Sequence, residues 1–220
     1  MRVSDARYSR DLRRYELAWK LIGFDARTRV IERWTGLSSY RIRTLYRAYA
    51  AGEPSISGSP LRGVAPTQVR FFWRSAHIKC QAAILAGFLR VFNVLPKSPS
   101  EIAPEALPSL ARGERLCRAY GEFRSLLPNS VITIEHAMLL LTELVRGVEM
   151  KLEHCTECGT LVLVDQLAIE SSRCAYCVYE AQAGLPYGAA INSSLHQGET
   201  TEQSAAQPTL LPLERQGRLF

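Results

Sequence analysis

The sequence predicts a mainly α-helical fold: a helical body with an N-terminal helix-turn-helix-like segment and a small C-terminal module built on four cysteines. Three observations carry this. Apolar residues recur at the i, i+3, i+4 spacing of one helix face in segment after segment. A glycine turn at Gly36 separates two such segments near the N-terminus. Four of the six cysteines fall in one short window, Cys155 to Cys177. The 220 residues, 47% apolar, suffice for a real core in one large domain or two small ones. The expected organisation is a helix-turn-helix-like segment over 1–51, a helical body over 52–150, a metal module over 151–183 and a disordered tail over 184–220.

In chain order, Leu12, Tyr15, Trp19 and Ile22 mark the apolar side of a first helix, with Arg10, Arg13, Arg14 and Lys20 around it. Gly23-Phe24-Asp25 reads as a break, with Asp25 as N-cap of the next helix. Val30, Ile31 and Trp34 give that helix an apolar stripe. After Gly36-Leu37-Ser38, with Ser38 or Ser39 as cap, Ile42, Leu45, Tyr46 and Tyr49 form a buried helix face. The opposite face carries Tyr40, Arg43, Thr44 and Arg47, with Arg41 at its flank. An ordinary helical hairpin with a solvated basic face has the same outline. In a helix-turn-helix, however, the second helix enters the major groove, and arginines there pair with guanine or hold phosphate. Tyr40, Arg41, Arg43, Thr44 and Arg47 are therefore the candidate DNA-contacting residues.

Gly52–Pro66 reads as a linker. From Thr67, taken as a cap, to Leu95 the pattern predicts one long helix or two shorter ones. Phe71, Phe72, Ala76, Cys80, Ala83, Ile84, Gly87, Phe88 and Val91 would face inward, with Cys80 a core thiol and His77 a hydrogen-bonded helix residue. Pro96–Pro108 is a broken connection. A helix then runs from about Leu107 or Ser109 to Leu127 with Leu110, Leu116, Ala119, Tyr120 and Phe123 inward and Cys117 as a second buried thiol. Another runs from about Ile134 to Arg146 through Ala137, Met138, Leu141, Leu144 and Val145, a stripe that is core or a partner surface, and ends at Gly147.

Cys155-Thr156-Glu157-Cys158 and Cys174-Ala175-Tyr176-Cys177 are two C-x-x-C hooks at the spacing of a four-thiolate zinc site. Four thiolates close the tetrahedral shell of Zn²⁺ and leave no position for a substrate, so one structural zinc on Cys155, Cys158, Cys174 and Cys177 is expected. Leu161–Val164 is a strand candidate between the hooks, which gives the module a zinc-ribbon-like outline. A disulfide pair would need an oxidising compartment. His154, next to the first hook, is expected to hydrogen-bond rather than to ligate.

The net charge of +6 is concentrated at the front, where residues 1–50 hold about +7 and residues 151–180 about −3. That asymmetry points to a polyanion partner, nucleic acid before membrane. Residues 1–16 have no apolar stretch of signal-peptide type, and the longest apolar run, Ala82–Leu89, is far too short to span a bilayer, so a cytoplasmic location is expected. No P-loop, dinucleotide fingerprint, H-E-x-x-H or G-x-S-x-G occurs, and no nucleophile has a base beside it, so no catalytic residue and no enzyme activity is expected.

Taken in order, these features resemble one family, the C subunit of the bacterial flagellar master transcriptional regulator (the FlhC family). The residues that carry the resemblance are Arg14–Ile22, the Thr35-Gly36-Leu37-Ser38 turn and the Tyr40–Tyr49 helix. Phe72-Trp73 and His77 add to it, as does the Cys155/Cys158/Cys174/Cys177 quartet. It covers roughly residues 10–180. The resemblance implies a zinc-binding transcriptional activator that works in a hetero-oligomer with an FlhD-like subunit. Such a complex binds double-stranded promoter DNA of flagellar operons and recruits RNA polymerase. The long neutral tail departs from the pattern. The competing expectation is a zinc-stabilised protein-interaction adaptor without direct DNA contact.

Overall fold

The computed structural model describes residues 5–52, 61, 63–96, 108–167 and 172–183 of the chain. These are mainly helical, with one two-stranded sheet. The linker, the proline-rich connection and the tail expected from the sequence lie largely or wholly outside the described residues. The chain divides into two units, residues 1–175 and 176–220.

In the first unit, helices α1 (Asp5–Gly23), α2 (Thr28–Thr35) and α3 (Ser39–Gly52) pack pairwise on one another as a three-helix cluster. The inward face of α1 matches the expected one at Ile22 and at Tyr15, which is half-buried against the core, and differs elsewhere. Leu17, Ala18, Leu21 and Ile22 are fully buried, whereas Leu12 and Trp19 are 47% and 37% exposed. Leu17/Leu21 and Ala18/Ile22 are two i, i+4 pairs on adjacent rows, and together they form the face that α1 turns to the core, where it packs on α2 and α5. Asp25 does not cap α2. It sits in the left-handed region at φ 57 in the connection, and the N-cap residue is Arg27, which has no side-chain cap bond.

A 3-10 turn at Val69–Trp73 leads into α4 (Ala76–Val91). Ser75, not Thr67, caps α4 by accepting from the Ile78 amide. The buried face of α4 is Gln81, Ala82, Ala83, Leu85, Ala86 and Leu89. Ala76, Cys80, Ile84 and Val91 are exposed, so Cys80 is a surface thiol and not a core one. His77 is a hydrogen-bonded helix residue as expected: its Nε2 lies 2.7 Å from Gln81 Nε2, and Gln81 Oε1 accepts from Ser130 Oγ at 2.8 Å.

Helices α5 (Leu110–Leu126) and α6 (Ile134–Arg146) have their expected faces inward. Burial pushes the Cys117 thiol up to about 12. Thr133 caps α6, and the His136 side chain accepts from the Thr133 amide in return, a reciprocal capping box. Gly147, at φ 62, ends α6 in the left-handed conformation that favours glycine.

Strands β1 (Met150–His154) and β2 (Leu161–Asp165) pair antiparallel, with Met150 opposite Asp165 and His154 opposite Leu161. β2 packs on α4. One apolar core runs from Leu17, Ile31 and Ile42 through Phe72, Leu89 and Phe123 to Met150 and Leu163, across the boundaries expected at 51 and 150. Among the described residues, no helix is long and apolar enough to cross a membrane.

The described part of the second unit belongs to α7 (Ala175–Ala183), a helix the sequence did not reveal. Within it, Tyr176 donates to the buried Glu180 carboxylate at 2.6 Å.

Candidate metal centre and nucleic-acid interface

The antiparallel ladder of β1 and β2 is extended by the Cys155 amide, which donates to Thr160 O at 2.8 Å. The chain then doubles back within the first hook: the Gly159 amide donates to Cys155 O at 3.0 Å, and Gly159 takes φ 71. This tight turn brings both thiols of the first hook to one side. The second hook is tied to the first by main-chain bonds. The Thr156 amide donates to Ser172 O at 3.1 Å, and the Cys174 amide donates to Cys155 Sγ at 3.3 Å. Side chains brace the same approach: Ser172 donates to the Glu153 carboxylate, Lys151 pairs with Glu153 at 2.6 Å, and Arg173 pairs with Glu157 at 3.5 Å.

The four sulfurs of Cys155, Cys158, Cys174 and Cys177 all lie within 4.8 Å of one another. Cys158 Sγ and Cys174 Sγ are 3.6 Å apart, well beyond a disulfide bond, and none of the six cysteines is in a disulfide. A tetrahedral ion with metal–sulfur bonds of about 2.3 Å separates its sulfurs by about 3.8 Å, so the Cys158–Cys174 pair is already close to that spacing and the whole donor set could close on a metal ion by shifts of about 1 Å or less. Burial pushes the Cys155 thiol up, but the amides of Cys158, Cys174 and Glu157 outweigh it and bring the group down to about 6. Amide donors thus favour the thiolate, which is the form a metal needs. His154 is not among the clustered donors; its Nδ1 lies 2.9 Å from Gly159 O, just past the first hook.

The cluster of α1, α2 and α3 presents the second candidate site. Gly36 closes α2 in the left-handed conformation, φ 70, and its amide donates to Glu32 O at 2.8 Å. Thr35 Oγ1 donates to Ile31 O and accepts the Leu37 amide, so the turn is fixed on both sides. Glu32 stands where this motif ordinarily carries a small residue. It is accommodated because its carboxylate accepts the Ser39 hydroxyl across the turn.

In α3, Ile42 and Tyr46 are buried and Leu45 and Tyr49 are half-buried against the core. The Tyr46 hydroxyl donates to Ala26 O and anchors the helix. Tyr40, Arg41, Arg43, Thr44 and Arg47 are all exposed, Tyr40 to 75%. Thr44 Oγ1 donates to Tyr40 O at 3.1 Å and accepts from Arg47 at 3.4 Å. No ion pair holds Arg41 or Arg43 among the described residues. All five residues singled out from the sequence thus share the outward side of one helix. The braces of the metal hooks were not legible, because Glu153, Ser172 and Arg173 belong to no motif of fixed spacing.

Fold and site together define a class, a mainly helical protein with a four-cysteine cluster able to hold a metal ion. No protein-family model matches the chain, and no curated protein matches it.

Proposed function

We propose that this chain is a DNA-binding transcriptional activator subunit with one structural zinc ion. The observation that carries the reading is the outer face of α3. Three arginines, a tyrosine and a threonine stand exposed on the second helix of a glycine-turned pair, in a three-helix cluster. α3 enters the major groove, Arg41 and Arg43 near its N-terminal end reach base edges, and Arg47 lies closer to the phosphates. The concentration of positive charge in residues 1–50 steers the approach. Zinc is the ion of choice for four thiolates in a closed shell. It holds the hooks in place and supplies no chemistry to a substrate.

The resemblance to the FlhC family extends this reading to a cytoplasmic hetero-oligomer with an FlhD-like partner that activates flagellar operons and recruits RNA polymerase. A gel-shift titration on flagellar promoter DNA, with the partner present, tests it. Arg43→Ala combined with Arg47→Ala is expected to weaken binding at least tenfold, and unchanged affinity sinks the reading.

The adaptor reading without DNA contact is favoured by one observation. Residues 80–89 of α4 carry no charge, yet Cys80, Ile84 and, just beyond, Val91 are exposed. No binding to duplex DNA with the partner present would favour it, and salt-dependent promoter binding would count against it.

A further inference from the structure

Neighbouring arginines on α1 have different tasks. Arg13 is spent internally: its Nε and Nη2 donate to the Glu114 carboxylate of α5 at 2.8 and 2.7 Å, a bidentate pair. Arg14, one residue on, is directed elsewhere. α1 passes the turn between α2 and α3 at this point, and the Arg14 guanidinium lies over Gly36. Its Nη2 and Cζ are 3.8 and 4.0 Å from where a Cβ on Gly36 would stand. The bare glycine backbone leaves that ground open. Nη1 is held from the other side by Asp11 at 3.2 Å, and the side chain remains 34% exposed. Asp11 thus fixes the orientation of the group while using one of its five N–H donors.

We propose that Arg14 anchors a phosphate of the bound duplex at the α2–α3 turn, from outside the recognition helix. The inference rests on the DNA-binding reading above. The turn leads straight into Ser38, Ser39 and the exposed Tyr40, so a duplex entered by α3 carries a sugar-phosphate strand past Gly36. A planar guanidinium, held by Asp11 through one nitrogen and still 34% exposed, is suited to a phosphate, which such a group grips with two parallel N–H donors. Arg14 belongs to α1, not to the α3 face that reaches base edges. Its role is to set the register of α3 in the groove, and it adds no sequence preference.

The test uses the full-length, zinc-loaded chain together with the partner subunit of that reading, and a fluorescein-labelled mixed-sequence duplex of about four helical turns, ~40 base pairs. Affinity is read by fluorescence anisotropy across a salt series. Arg14→Ala is expected to lower affinity about five- to tenfold at low salt and to reduce the slope of log K against log salt by about 0.9, the value for one lost phosphate contact. Arg14→Lys keeps the slope and recovers part of the affinity. Lys20→Ala removes the same charge from the same helix, six residues away, and is expected to leave the slope unchanged. Arg14→Gln retains a donor for Asp11, and it stands in for the alanine variant if that one melts early.

If the wild-type complex binds no duplex, the DNA-binding reading itself fails. If it binds, and Arg14→Ala and Arg14→Gln keep the wild-type slope, or Lys20→Ala lowers it equally, the DNA-binding reading stands and the anchor is overturned.

Discussion

The carboxylate of Glu135, in the first turn of α6, accepts both the backbone N–H and the guanidinium of Arg27, the residue that opens α2. It therefore serves as the cap that Arg27 itself lacks. The side chain of Glu135 is 3% exposed, and 108 residues separate the partners in sequence. One buried acid ties the three-helix cluster to the body.

Removing it is expected to be costly. Glu135→Ala leaves a partly buried cation and an amide at a helix start without an acceptor, for a loss of about 3–5 kcal/mol. Glu135→Gln keeps an acceptor and should lose clearly less. Urea unfolding monitored by far-UV circular dichroism measures both. A loss below about 1 kcal/mol for the alanine variant would contradict the described packing.

Gly113 on α5 is a contact point rather than a flexible joint. A Cβ there would stand 2.8 Å from Leu17 Cδ2 and 3.1 Å from Trp34 Cε3. Leu17 can rotate away, but the indole cannot without disturbing α2. Gly113→Val is expected to destabilise by about 1–3 kcal/mol through overpacking and to alter the Trp34 emission. An unchanged melting temperature would refute the contact.

Stability should fall in mild acid because of His136. Its ring stacks on Phe71 with centroids 3.8 Å apart. Burial, with Arg74 and Arg27 nearby, lowers its pKa from 6.5 to about 4. Between these values the folded histidine is neutral and the unfolded one charged, so the unfolded state binds more protons and stability drops as pH falls through that window. His136→Gln preserves a capping-box residue and removes the titration. The wild type should lose more melting temperature than this variant from pH 7 to pH 5. Equal losses would clear His136 of the effect.

The metal cluster should hold about one zinc per chain by elemental analysis. Cys155→Ser or Cys177→Ser should abolish stoichiometric binding, and a chelator should lower the melting temperature and loosen β1 and β2. Metal-free protein with unchanged stability would remove the structural role.

Legibility in the sequence tracked the contrast between faces. α3, α5 and α6 alternate apolar and charged positions at helical spacing, so the pattern alone places Ile42, Tyr46, Leu116, Phe123 and Leu141 inward. The cysteine hooks were legible because their spacing is itself the constraint. α4 was legible as a helix but not by face: with no charge from Cys80 to Leu89, every side looks apolar and the pattern cannot choose between Leu85 and Ile84. α1 misled for the opposite reason, since Tyr15 and Trp19 outweigh Ala18 in any apolar tally although the small residue is the one packed inside. The Arg27–Glu135 bond and the approach of Arg14 to Gly36 arise from tertiary packing, which no local period encodes.

Leu17, Ile31 and Ile42 share their neighbours with Leu116, Phe123 and Ile134 in one uninterrupted apolar interior. The first fifty residues are therefore not a cassette. Spliced onto another scaffold, they would carry half of a broken interior into water. If α3 reads DNA as proposed, chimeras that aim to swap target preference should exchange only its outward side chains and leave the rest of the chain in place.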